Sequence, residues 1–166
     1  PQWSGLLCEA APQSMRLARE NTAVYRNLGN HISYEQALVS ADDLKPDDPT
    51  TAQLRLMTNP TQNEVHIKKP GQQQKSHNFD IEATGELVDV PIRSIQQMLR
   101  DNNVPKRFAL LDVDVEGQAK SLVDRVLELG YKPQYIVVEI GEYNHPDYEK
   151  MARIRYNEVL RRKDSM

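Results

Sequence analysis

Three carboxylates at alternate positions, Asp112, Asp114 and Glu116, follow the apolar run Phe108-Ala-Leu-Leu and are released by Gly117. In an extended strand alternate residues share a face, so all three acids would point the same way. Carboxylates drawn together out of water raise one another's pKa or demand a cation, a ligand or hydrogen-bond donors. That is costly in the middle of a sheet and useful at its edge. Asp114 and Glu116 are therefore expected at or beyond the carboxyl end of a buried strand, where open α/β sheets bind ligands. Two more apolar runs close on an acid: Leu6-Leu7-Cys8 leads to Glu9, and Tyr135-Ile-Val-Val138 leads to Glu139. The repeated placement favours a ligand site along one edge of the sheet.

Each acid also has a plainer role. Glu9 suits the ribose of a nucleotide, because a carboxylate at a strand end accepts hydrogen bonds from both sugar hydroxyls. It equally suits the start of a helix, where the dipole favours negative charge. Asp112-Val-Asp114 fits a divalent metal with a nucleotide sugar in an Asp-x-Asp glycosyltransferase, or the nucleophile and acid/base pair of a dehalogenase-like phosphatase. It also fits the fourth-strand site of a methyltransferase, or a simple capping and pairing role. Four histidines, at 31, 66, 77 and 145, lie too far apart in sequence to strengthen the metal reading. The acids of 41–50 lack the alternating ligands and turn glycine of a calcium loop. Cys8 lies within an apolar run and reads as a small core residue.

Several elements would position these groups. Pro12 opens a helix whose face carries Met15, Ala18, Thr22 and Tyr25, stopped by Gly29-Asn30. A second strand is predicted over Ile32–Val39. Residues 41–78 read as a loop-rich insertion holding one hairpin, Leu54–Met57 against Val65–Ile67, followed by a mobile Lys68–Asn78. Val88–Pro91 is extended, and Ile92, Ile95, Met98 and Leu99 share one helical face. Ala119, Leu122, Val123, Val126 and Leu127 mark the clearest helix, stopped by Gly130. Pro146 is predicted to open a last helix with a basic end at Arg161-Arg162-Lys163. Strands alternating with helices, the better strands being continuous apolar runs, predict an α/β fold with a mostly parallel sheet covered by helices on both faces.

At 166 residues the chain is long enough for one domain with a buried core. A net charge of -3 and a pI near 5.8 argue against general binding to nucleic acid or a membrane surface. No apolar run approaches the roughly 20 residues that span a bilayer. A single cysteine fits a reducing compartment, so a soluble, cytoplasmic protein is the expectation. The glycines at 5, 29, 71, 85, 117, 130 and 141 do not cluster, and no phosphate-cradling loop is apparent.

Two stretches together resemble the FkbM-type S-adenosylmethionine-dependent methyltransferases. Trp3-Ser-Gly-Leu-Leu-Cys-Glu-Ala-Ala-Pro12 is similar to that family's second strand. Val90-Pro-Ile-Arg-Ser-Ile95, Asp114-Val-Glu-Gly117 and Ile136-Val-Val-Glu139 are similar, in order and spacing, to its lead-in, its strand-four motif and its acid-ended strand five. The resemblance is weakest over 41–78. It implies a partial class I, Rossmann-like domain over 1–166, with S-adenosylmethionine as cofactor. It further implies Glu9 and Ala10 at the cofactor, Glu9 on the ribose, and Asp114 and Glu116 beside the transferred methyl or the acceptor. The acceptor it implies is a hydroxyl of a carbohydrate or small natural product. The chain departs from the family at Asp112, where a base is usual, and at Ala119-Lys120, where a second acid is usual. Strand one and its glycine-rich turn have no counterpart here, and the chain is expected to stop short of the closing strands. A non-catalytic remnant or interaction module is the alternative from another class, and a metal-dependent Asp-x-Asp enzyme is a third.

Overall fold

A computed structural model describes residues 2–57, 64–66, 83–115 and 117–164. The chain is α/β, with three separate sheets and four helices among these residues. It divides into two compact units, one of Pro1–Ser40 with Leu44–Ser94, the other of Ala41–Asp43 with Ile95–Met166.

In the first unit, β1 (Ser4–Cys8) pairs in parallel with β2 (His31–Glu35), Leu6 beside Ser33 and Cys8 beside Glu35. Between them run α1 (Pro12–Asn21) and α2 (Ala23–Asn27). The single helix predicted here is broken at Thr22. Its hydroxyl donates to the Ala18 carbonyl at 2.6 Å and also meets the Tyr34 hydroxyl at 2.5 Å. Such back-bonding by Thr bends a helix. Of the predicted apolar face, only Met15 is fully buried. Gly29, at φ +84, makes the predicted stop.

The predicted second strand is also split. After β2 the chain leaves the first sheet, and β3 (Leu38–Ser40) joins another, ordered β3-β6-β4-β5. Here β6 (Ala83–Ser94) runs parallel to β3 and antiparallel to β4 (Thr51–Met57), and β5 (Glu64–His66) runs antiparallel to β4. The β4–β5 pairing agrees with the predicted hairpin, but the stretch expected to be mainly loop supplies two strands of a sheet. Lys68–Asn78 lies outside the described residues. Ile92 belongs to β6 rather than to the next helix. Pro91 pairs with Thr51 just before β3 joins at Ile92, where a missing N–H leaves no ladder bond broken on that side. Ala11, Ala52, Leu54, Val90 and Ile92 form this unit's core.

The second unit carries α3 (Ile95–Asp101), β7 (Arg107–Val113), α4 (Ala119–Glu128) and β8 (Lys132–Glu139). Strands β7 and β8 are parallel, from Arg107 beside Lys132 to Val113 beside Val138. Leu122, Val123 and Val126 of α4 are buried, as the helical spacing predicts, and so are Ile136 and Val138 of β8. The last predicted helix is absent. Its place is taken by an antiparallel hairpin, β9 (Tyr148–Ile154) and β10 (Asn157–Arg162), and the sheet order is β7-β8-β10-β9. Strand β8 has a second edge of backbone N–H and C=O groups to satisfy. Strand β10 covers it, with Leu160 beside Ile136 and Glu158 beside Val138.

Two fold expectations are thereby corrected. The sheets are mixed rather than mostly parallel, because β4, β5 and β10 run against their neighbours. In the second unit, one face of β7 and β8 also lacks helical cover among the described residues. Leu110 and Tyr135, cross-strand neighbours on β7 and β8, are 54% and 38% exposed. Continuous apolar runs there reflect strand propensity as much as burial.

Candidate functional site

Two of the three parallel pairs, β1–β2 and β7–β8, bring acids to their carboxyl ends, whereas β3–β6 ends in Ser40 and Ser94. In the second unit, β7 and β8 end side by side, so Asp114 follows Val113 while Glu139 closes β8. Asp114 is exposed and makes no hydrogen bond or ion pair among the described residues. Glu139 is half-buried. Glu116 lies outside the described residues. Gly117, at φ +71, then takes a backbone conformation that suits glycine, and α4 begins two residues later. Its first-turn N–H groups thus start close in sequence to Asp114.

Asp112 is separated from these by position in the strand. It lies within β7, beside Val137 on β8, on the face that also carries Leu110 and Tyr135. Partial loss of water, and then the charge of Asp114, hold its carboxyl above the usual range. Among the described residues no three His, Cys, Asp or Glu side chains converge as a metal-holding group.

In the first unit, Glu9 follows the end of β1 and Glu35 closes β2, tied by a bond from the Glu9 N–H to the Glu35 carbonyl at 3.1 Å. The Glu9 carboxylate accepts the Ala11 N–H at 2.8 Å. One oxygen thus closes the turn into α1, the plainer of its two predicted roles, and the other has no partner among the described residues. Ala10 is half-buried and packs on the core that contains Ala52 and Leu54. Cys8 donates to the Ala37 carbonyl at 3.5 Å, and burial pushes its thiol up to about 11. It is a packed thiol, not a thiolate.

Sequence reading missed two groups. Glu35 was placed inside a strand, yet it ends one and pairs with Arg93 at 3.3 Å. The change from alternation to Gln36-Ala37-Leu38 was the available signal. Asp124 accepts from the buried Tyr143 hydroxyl at 2.8 Å and pairs with Lys120 one turn back. Burial, followed by the hydrogen bond to Asp124, raises the Tyr143 phenol. The Lys120/Asp124 spacing on a strongly periodic helix was legible, but its partner across a loop was not.

No protein family, curated protein or solved structure matches this chain. The site must therefore be argued on its own chemistry. A hollow of about 530 Å³, lined by Leu127, Tyr131, His145 and Tyr148 among others, opens at the amino end of β8, away from Asp114 and Glu139.

Proposed function

We propose that the chain is part of an S-adenosylmethionine-dependent methyltransferase that acts on a hydroxyl of a carbohydrate or small natural product. The observation that carries this reading is that Glu9 follows β1, Asp114 follows β7 and Glu139 closes β8, each at the carboxyl end of a strand in a parallel pair and in the order the FkbM resemblance implies. The hairpin that extends the second sheet also supports it, since closing strands are part of that fold.

The residues fit the cofactor in part. Glu9 keeps one carboxylate oxygen for a ribose hydroxyl, and a charged acceptor makes the stronger kind of hydrogen bond. Positive φ occurs at three described glycines, 29, 117 and 130, and they are dispersed, so these residues supply no backbone cradle for the rest of the ligand. When bound, the cofactor supplies an electrophilic methyl. Asp114 accepts a hydrogen bond from the attacking hydroxyl, orients it and takes its proton as the oxygen is methylated. Asp114 is suited to this, being exposed at a strand end with no competing partner among the described residues. Glu116 is assigned the same neighbourhood by the resemblance alone.

Calorimetric titration with S-adenosylmethionine tests the reading, on this chain and on any longer native form that contains it. Saturable heat that Glu9→Ala weakens at least tenfold is expected. Methyl transfer to a panel of sugars should fall about 10²-fold or more in Asp114→Asn, the scale of a lost general base. No saturable heat in either form would support a non-catalytic interaction module instead.

A further inference from the structure

We propose that the amino end of the second unit's sheet binds a small phosphate-type anion between Arg107, Lys132 and Arg162. This does not rest on the methyltransferase reading, since the site lies at the opposite end of β7 and β8 from Asp114 and Glu139. The carrying observation is a second hollow, about 350 Å³, whose charged lining is these three cations and no carboxylate. Gln134 adds an amide, and Phe108 and Ala109 complete the wall.

The strand pairing explains why the cations are together. Arg107 and Lys132 are register partners on neighbouring parallel strands, roughly 4.8 Å apart in the pairing direction. Arg162 ends β10, on the other side of β8, and its guanidinium donates to the Lys132 carbonyl at 2.8 Å. Its side chain is only 11% exposed and is held further by Asp164. One cation is thus fixed before any ligand arrives, which lowers the ordering cost of binding.

Like charges side by side on a sheet repel, and the protein offers little relief. Arg107 and Lys132 make no side-chain hydrogen bond or ion pair among the described residues. Asp164 answers Arg162 and feels Arg107 more weakly. Neighbouring Lys106 and Lys163 are engaged elsewhere, on the Leu129 and Pro146 carbonyls. An anion with several oxygens would relieve the repulsion and accept the forked N–H groups that arginine presents.

Calorimetry with inorganic pyrophosphate, at constant ionic strength set with chloride, tests the assignment. The expected result is saturable binding that Arg107→Gln and Lys132→Gln each weaken at least tenfold, and that Lys163→Gln leaves within twofold. Arg162 is left unchanged because it also ties β10 to β8. Tighter binding of ribose 5-phosphate than of inorganic phosphate would assign the site to a phosphate ester. Equal affinity would assign it to the free anion. No saturable binding would overturn the proposal, and so would equal losses in all three variants, which would show only diffuse attraction to positive charge.

Discussion

At the residue scale, the alternate acids of β7 are not equivalent. Asp112 stands within the strand and Asp114 beyond it, so one bears the cost of crowding and the other is available to a ligand. The cost has a pH signature. Partial burial and Asp114 raise the folded-state pKa of Asp112, whereas the unfolded chain keeps the ordinary value. Above the folded pKa both states are ionised and the folded state bears the full penalty. As pH falls through that pKa the folded state takes up its proton first, and the penalty disappears below the unfolded value. Asp112→Asn should therefore stabilise at pH 7 by at most about 0.5 kcal/mol, the range for an exposed position. The gain should vanish near about pH 3, below the ordinary Asp pKa. Urea unfolding at the two pH values checks this, and an equal gain at both would contradict it. The strand end was legible in sequence, since Asp114 was expected at or beyond it, but the partial burial of Asp112 was not, because alternation gives a shared face and not its exposure. Glu9 shows the same gap, since only the structure reveals that one of its oxygens serves the turn at Ala11.

At the element scale, local rules held where local interactions decide and failed where pairing partners decide. The α4 helix was legible because Leu122, Val123 and Val126 all face the core and Gly130 ends the helix from within the local sequence. Gly130 adopts φ +79 with no heavy atom near the position of an added Cβ, so Gly130→Ala isolates backbone strain from packing. It should destabilise by about 1–2 kcal/mol, the cost of a left-handed conformation for an L-residue. Chemical denaturation of the two proteins measures the difference, and a loss within 0.3 kcal/mol, roughly the surface-substitution range, would show that the turn can relax. The β9–β10 hairpin was not legible. Pro146 and a basic terminus mimic a helix, and Arg155, a residue with no turn preference, makes the reversal at φ +57. What selects the hairpin is non-local: Leu160 meets Ile136 beside β8, and the buried Glu158 is met by Lys150 at 3.0 Å from β9. That ion pair is close but poorly directed, as neither Glu158 oxygen makes a well-formed hydrogen bond. Pairing to an existing strand edge thus outweighs helix propensity over these residues.

At the scale of the whole molecule, alternating strands and helices made α/β class legible, but apolar runs carried no information on which strands would share a sheet. One mostly parallel sheet was expected from those runs, with the strand-ending acids along one of its edges. The structure keeps β1–β2 and β7–β8 in different sheets and adds antiparallel members to the latter. The second unit is nearly contiguous in sequence, and Leu122, Val123, Val126, Ile136, Val138, Tyr143 and Leu160, all within Ile95–Met166, are buried. Its remaining piece, Ala41–Asp43, contributes the exposed pair of Asp43 with Arg125 at 2.7 Å. Exposed ion pairs contribute about 0–1 kcal/mol, so removing that piece should not prevent folding. A fragment spanning 95–166 is therefore expected to fold cooperatively, although domains of this size are marginally stable. The diagnostic is an unfolding transition at which far-UV dichroism and Tyr143 and Tyr148 absorbance coincide. Both phenols are buried, and the Tyr148 pKa is pushed up to about 12, so alkaline titration of the fragment should lag behind that of unfolded chain. Phenols that titrate near the ordinary value of about 10 would mean that the hairpin and its core need the first unit to form.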